Sequence, residues 1–318
     1  MGDDFSQFER RKQDHIELAL MVENQANEVN AFDRMRLRHD ALPDLNFNEL
    51  SIASQRLQKP VNSPFIVASM TAGHPNASPL NARIIEACAK TDWAMGVGSQ
   101  RRELSDPKAS QEWSQLRAHF PKVSLYANLG IAQVIHTPID SLRRLIDALQ
   151  ADAFVIHCNP LQECIQPEGT PYFKGAWKVL HQLVPALPVP VIIKETGCGF
   201  SSSTLQRLDT LGVAAVDVSG LGGTHWGRIE GLRANEKSMH RRAANTFRSW
   251  GEYTVDCVRQ AQAIAPSFEI WGSGGVRNGL DAAKLFALGA SNVAFAQPIL
   301  AAAMQSSEQI VSLMQAIE

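Results

Sequence analysis

From residue 65 onward the chain alternates two patterns of apolar and polar positions. One is a short, continuous apolar run ending in glycine or polar residues. The other is a longer segment with an apolar residue every three or four positions. The short runs are FIVASMTAG from Phe65, WAMGVGSQR from Trp93, VSLYANLG from Val123, AFVIHCNP from Ala153, VPVIIKETG from Val189, AAVDVSGLGG from Ala214, FEIWGSGG from Phe268 and NVAFAQP from Asn292. Continuous rather than alternating runs are expected of strands buried on both faces. The longer segments, PLNARIIEACAKT, SLRRLIDALQA, AWKVLHQLVPAL, STLQRLDTLG, TVDCVRQAQAIA and GLDAAKLFALGA, have helical spacing. Thr137-Pro138 and the serines at 201–203 read as helix starts. Eight strands with helical segments between them specify an α/β fold, a closed (β/α)8 TIM barrel, and no GxGxxG opens the first helix as an open dinucleotide-binding sheet would need.

Two departures from this period bear on function. Residues 1–60 precede the first run and are expected to form an arm or cap packed on the barrel of residues 61–318. The interval between the sixth and seventh runs roughly doubles, leaving one long connection, and long connections in barrels tend to be functional.

In this fold the strand C-termini open on one face, where the active site is built. The fourth run ends directly in His157, Asn159, Gln162 and Glu163. The other ends carry Ser69-Met70-Thr71, Ser99-Gln100-Arg101, Asn128, Lys194-Glu195, Ser219 with Gly222-Gly223-Thr224, Gly274-Gly275-Val276-Arg277, and Ala296-Gln297. The stretch GSGGVRNGL lets backbone N–H groups approach an anion ahead of a helix N-terminus, at the place where barrels commonly hold a phosphate. Lys194 is a candidate partner for a flavin ring, because a cation stabilises negative charge near N1 of the reduced ring; the alternative is a buried lysine paired with Glu195 or Asp217. Asn128 and Ser99 could bond ring edges. Arg101, at a strand end in an apolar mouth, needs an anionic partner. With Arg11 and Lys12 it could supply the charge a diphosphate demands.

Composition narrows the partners. The chain has 318 residues, 45% hydrophobic, with a net charge of −2, which gives no reason to expect nucleic acid or an anionic membrane. Its five cysteines form no CxxC or CxxH pair, so neither a disulfide framework nor a structural zinc site is indicated, and a cytoplasmic protein is expected. No apolar stretch approaches the roughly 18 residues that span a bilayer.

In order along nearly the whole chain stand RKQDHI (Arg11, Lys12, His15), MTAG, SQR, ANLG, HCNPLQE, KETGCG, SGLGGTHW and GSGGVRNGLD. Taken together these motifs resemble the type 2, FMN-dependent isopentenyl-diphosphate isomerases, a family of (β/α) barrels. HCNPLQE and GGTHW discriminate most, since other flavin barrels share the glycine loop. Ala72 stands where the family usually has a glycine, and Cys158 and His225 also depart from its pattern. The resemblance implies FMN contacts at Met70, Thr71, Ala72, Ser99, Asn128, Lys194, Ser219, Thr224, Gly275, Val276, Arg277, Ala296 and Gln297. It implies substrate contacts at Arg11, Lys12, Ser99, Gln100, Arg101, His157, Asn159 and Gln162, with Gln162, His157 and Lys194 as the catalytic set. Glu163 would hold Mg²⁺ against the diphosphate of an isoprenoid substrate. Reduced FMN as the active form, NADPH as reductant and a homo-oligomer of four or eight copies are implied as well.

The rival reading is an FMN-dependent oxidoreductase of the same fold. A nucleotide dehydrogenase would place a nucleophilic cysteine after the sixth strand, where this chain reads GLGGTHWG. A hydroxyacid oxidase would pair a histidine with an arginine near the late strands, and no histidine stands near Arg277 in sequence. A third possibility is a barrel that only binds flavin or phosphate, against which the carboxylate of Glu163 at the mouth argues.

Overall fold

The computed structural model describes residues 5–71 and 77–318, so Ala72 lies outside the described residues. Eight parallel strands close into a barrel in the order β8-β1-β2-β3-β4-β5-β6-β7. They are β1 (Phe65–Val67), β2 (Ala94–Gly96), β3 (Leu125–Gly130), β4 (Ala153–Cys158), β5 (Val191–Glu195), β6 (Ala215–Asp217), β7 (Glu269–Gly272) and β8 (Asn292–Phe295). Each falls inside one of the eight apolar runs. Closure is made by β8 against β1, with Phe295 paired to Val67, and by β8 against β7, with Asn292 paired to Trp271.

The continuous apolar runs are explained by two cores. Ile66, Tyr126, Val155, Ile192, Trp271 and Ala294 point inward and fill the barrel, with the rings of Tyr126 and Trp271 in tilted contact at 5.7 Å between centroids. Alternate residues such as Phe65, Met95, Leu125, Phe154 and Phe295 point outward against the helices. Burying a side chain of this size contributes about 1.5–3 kcal/mol, so both faces of each strand are held. A two-stranded hairpin, Ser54–Arg56 with Lys59–Val61, packs Leu57 against the inner core. Buried Arg56 there donates to the carbonyls of Ser63 and Phe65.

The six helical segments read from spacing are present as Ser78–Thr91, Ile139–Leu149, Ala176–Leu183, Ser202–Asp209, Thr254–Ala263 and Gly279–Ala287. Ser201 Oγ caps the fourth, accepting from Thr204 N. Pro138 immediately precedes the helix at Ile139, with no side-chain cap. Spacing alone did not reveal Pro107–His119, a mostly polar helix, nor Trp226–Arg233 and Met239–Thr246, which fold the long connection after β6. No helix among the described residues is long and apolar enough to cross a membrane.

Before the barrel, a helix at Phe5–Leu20 leads into short 3-10 turns at Val22–Asn24, Asn27–Val29 and Ala31–Arg34. This strap, residues 22–34, lies over the loops after β6 and β7. Ala26 N donates to Gly223 O at 2.7 Å, and His225 N donates to Asn24 O at 2.8 Å.

Candidate active site

The strand C-termini, the arm helix and the strap enclose a cavity of about 330 Å³. The arm helix contributes Arg11, Lys12, His15, Ile16, Ala19 and Leu20, a stripe of helical period. From the barrel come Met70, Thr71, Ser99, Arg101, Asn128, His157, Asn159, Gln162, Glu163, Lys194, Ser219, Thr224, Gly275, Val276, Arg277, Ala296 and Gln297. The structure therefore gathers nearly all the residues singled out from sequence. Among the described residues that the family resemblance placed in contact with cofactor or substrate, Gln100 is the exception. It is 1% exposed and off the cavity wall, and its Oε1 accepts from Asn128 N at 3.1 Å. It braces the end of β3 instead of facing the cavity, because its amide is already used there.

Charge collects on one side. Burial and then the charge of Arg11 lower the Lys12 ammonium to about 8, with Arg101 adding to the shift. Burial likewise lowers Arg11, and Arg101 acts in the same direction. Three neighbouring cations around one cavity favour an anionic occupant.

The turn after β4 orders the polar groups next to them. Asn159 Nδ2 donates to Gln162 Oε1 at 3.0 Å and to Glu163 Oε1 at 3.1 Å, while Thr170 N donates to Glu163 Oε2 at 2.6 Å. Asn159 Oδ1 is buried with no hydrogen-bond partner among the described residues. A carboxylate beside an unpartnered amide oxygen is the donor chemistry that suits a hard divalent cation.

His157 is neutral. Burial, then the charges of Lys12 and Lys194, push it down to about 3. Asn128 Nδ2 donates to Val97 O, which turns Asn128 Oδ1 toward His157 Nδ1 at 2.9 Å. The proton is therefore on Nδ1, and Nε2 is left as an acceptor. Such a ring can orient a substrate but is a poor acid.

Sequence reasoning missed the hub beneath Gln162. Fully buried Glu230, on the helix Trp226–Arg233, accepts from Gln162 Nε2 at 2.9 Å, from His15 Nε2 at 2.8 Å and from Arg233 at 2.6 Å. Burial opposes its ionisation, but His15, Gln162 and Arg233 hold it at about 2. Burial lowers His15 as well, against the upward pull of the Glu230 carboxylate it bonds. In the amide orientation that satisfies its neighbours, Gln166 donates to Glu230 at 3.0 Å and accepts from Arg11 at 3.2 Å. The only sequence signal was the i, i+4 placing of Arg11 and His15 on the arm helix; nothing local marked Glu230. Trp226 lines the same wall, edge-on to His15.

The opposite wall is made of backbone. Gly274 and Gly275 sit at φ +99° and +74°, and a Cβ on Gly275 would come 2.3 Å from Gly222 O. Only glycine fits so close an approach. Ser219 is a non-glycine residue at φ +36°, a strained position at the mouth. Lys194 Nζ bonds Asp217 at 2.7 Å and Ser273 at 3.2 Å, so it is both paired with Asp217 and on the cavity wall. Arg277 is pulled outward, with bonds of 2.6–3.1 Å to Asp33 and Asp281. Glu195 takes no part in the cavity; its Oε2 accepts from the backbone N–H groups of residues 196–199, and burial raises it to about 7 against those bonds. It shapes the turn that presents Thr196 and Gly197 to the cavity.

A glycine loop fit for a phosphate, a lysine on the floor and this barrel are the features of a flavin-binding enzyme. A protein-family model described as FMN-dependent dehydrogenase matches residues 141–317, placing the chain among FMN-dependent barrel proteins. Solved structures with the same fold include mandelate oxidase with (S)-2-phenylpropionate, at TM-score 0.63 and 18% identity, covering all of this chain and 91% of the other. A lactate oxidase of Pediococcus acidilactici gives TM-score 0.65 at 16% identity, covering 93% and 79%. Identities this low speak for the fold alone. More specific are the isopentenyl-diphosphate delta-isomerases. That of Legionella pneumophila strain Paris is 64% identical over all 318 residues and 93% of its own length. That of Bdellovibrio bacteriovorus is 47% identical over 100% of this chain and 93% of its own; that of Nostoc sp. is 40% identical over 98% and 89%. The chain belongs to the isopentenyl-diphosphate delta-isomerase family.

Proposed function

We propose that the protein interconverts isopentenyl diphosphate and dimethylallyl diphosphate by a 1,3-allylic proton shift. The observation that carries this reading is the meeting, in one cavity, of the Arg11–Lys12–Arg101 cations and Glu163 with the glycine wall and Lys194. One side suits a diphosphate, the other a phosphate-bearing flavin.

The groups divide the work. Met70, Thr71, Ser99, Thr224, Gly275, Val276, Ala296 and Gln297 would hold FMN, with Lys194 at the floor. Reduced FMN, when bound, supplies the acid–base chemistry that adds one proton to the five-carbon unit and removes another, with no net redox change. Arg11, Lys12 and Arg101 would bind the diphosphate, and Glu163, with the unpartnered Asn159 oxygen nearby, would hold Mg²⁺ against it. Fixing the diphosphate positions the carbon chain for reaction. Gln162, its amide clamped between Asn159 and Glu230, orients the reacting end. Neutral His157 offers Nε2 as an acceptor, and His15, Ile16 and Trp226 shield the chain from water.

The oxidoreductase reading loses support at two places. The loop after β6 has no cysteine. Arg277 is committed to Asp33 and Asp281, and among the described residues no histidine hydrogen-bonds it to form the pair an α-hydroxyacid would need. We further take NADPH as the reductant and the enzyme as cytoplasmic, in keeping with five free thiols. An assembly of four or eight copies is in keeping with the exposed Leu42 and Phe47 beyond the strap.

The test is to incubate protein, FMN, Mg²⁺ and a reductant with isopentenyl diphosphate. Dimethylallyl diphosphate that forms without stoichiometric use of reductant supports the reading; flavin reduction without product sinks it. In the same assay Glu163→Gln should raise the Mg²⁺ needed for half-maximal rate by about tenfold or more, and an unchanged titration removes Glu163 as the metal ligand.

A further inference from the structure

The strap is more than a cover. Asn30 is 5% exposed and every atom of its amide is used. Its Oδ1 accepts from Phe32 N at 3.0 Å, which starts the 3-10 turn Ala31–Arg34. Its Nδ2 donates to Gly222 O at 3.0 Å and to Gly275 O at 2.9 Å. One side chain therefore ties the loop after β6 to the loop after β7. Those loops touch where a Cβ on Gly223 would lie 2.5 Å from Gly275 N, so their spacing has no slack.

A loop whose glycines sit at positive φ has no side chains to hold its shape. Its N–H groups point at a ligand only if its carbonyls are fixed elsewhere. Asn30 fixes the Gly275 carbonyl. Contacts on either side keep the strap in register: Ala26 N to Gly223 O, Lys284 Nζ to Phe32 O at 2.8 Å, and Asp33 to Arg277.

We propose that Asn30 is a positioning residue of the phosphate site, setting the orientation of the Gly274–Val276 backbone through its double donation and so determining phosphate-dependent affinity for FMN. This rests on the flavin reading above. It also gives Arg277 a different part from the expected one: paired with Asp33, it clips the strap down, and the phosphate is left to backbone N–H groups.

Riboflavin, which lacks the phosphate, separates this role from a general structural one. Binding of FMN and of riboflavin would be measured by fluorescence quenching for the full chain and for Asn30→Ala. FMN affinity should fall about tenfold, the loss expected when the two of the three Asn30 hydrogen bonds that fix the loop carbonyls are removed, with riboflavin affinity changed less than about twofold. Equal weakening of both flavins, or no change in either, overturns the proposal. Should Asn30→Ala not fold, Asn30→Ser keeps a capping oxygen but is too short to span both carbonyls, and the same ratio decides. Wild-type protein that binds riboflavin as tightly as FMN would instead overturn the phosphate reading of the loop itself.

Discussion

On one side of the cavity, Arg11, Lys12, Arg101 and Glu163 present charge on side chains, with Glu230 buried beneath; on the other, Gly223, Gly274 and Gly275 present main chain. The charged side can accommodate exchange of one residue for another of like kind, because its geometry is set by hydrogen bonds that a similar group can remake. The glycine side cannot, since the space a side chain would need is already filled by a neighbouring carbonyl. The first recognises by Coulomb attraction and so responds to pH. The second recognises by shape and backbone dipoles and should respond mainly to strain.

The severest challenge to this contrast is Glu230→Leu. It strands the Nε2 donors of Gln162 and His15 and leaves Arg233 to Glu168 and Asp14, and breaking a buried ion pair from one side costs about 3–5 kcal/mol. Chemical denaturation would measure it. The acid limb should flatten in the same variant. Because Glu230 titrates at about 2 in place of the ordinary 4.5, its contribution is complete above the ordinary value and is lost as pH falls through the lower one. A variant as stable and as acid-sensitive as the wild type would mean that the hub does not hold the charged side together.

Next comes Gly275→Ala. A methyl at φ +74°, pressed on Gly222 O, should reduce FMN affinity by more than about a hundredfold, read as flavin absorbance left after desalting. Full retention would show that the backbone side has more give than its geometry implies.

Lys12 sharpens the pH half of the contrast. Its ammonium is lost as pH rises through about 8, so KM for the diphosphate substrate should climb about tenfold per pH unit above that value. Lys12→Arg should flatten the climb, because a guanidinium stays charged; an identical slope would assign the titration to another group. The smallest effect is expected far from both sides. Ser201→Ala removes a helix cap and should cost about 1 kcal/mol in denaturation while leaving flavin and substrate binding unchanged.

The strands were legible in sequence because barrel strands are apolar on both faces, and a run such as AFVIHCNP begins where β4 does. The mouth was legible for the same reason: chemistry begins where the apolar run stops. The helix Pro107–His119 was not, since PKASQEWSQLRAH offers almost no apolar stripe and is held by buried Trp113 and by Arg117, which donates to the carbonyls of Leu149, Pro121, Val123 and Gln150. Glu230 and Asn30 were not legible either. Each is an ordinary polar residue in its own stretch, and its meaning comes from a partner 215 or 192 positions away. Gln100 shows the converse: its place beside Arg101 suggested the cavity, but in the turn beyond β2 its backbone and its amide oxygen both pair with the backbone of Asn128.

The strap also has a consequence for how the molecule is made. Its Asn30 leaves the ribosome long before the carbonyls it will grip, 192 and 245 positions later, and β1 waits as long for β8 to close the ring. Apart from its neighbours in the chain, such as Leu18 and Ala19 of the arm helix, the residues that the strap hydrogen-bonds among those described belong to the last third of the chain, so a nascent polypeptide cannot seat it on the barrel until synthesis is almost finished. The flavin pocket should therefore come into being in one late event, and long-range closure of this kind is slow compared with local folding.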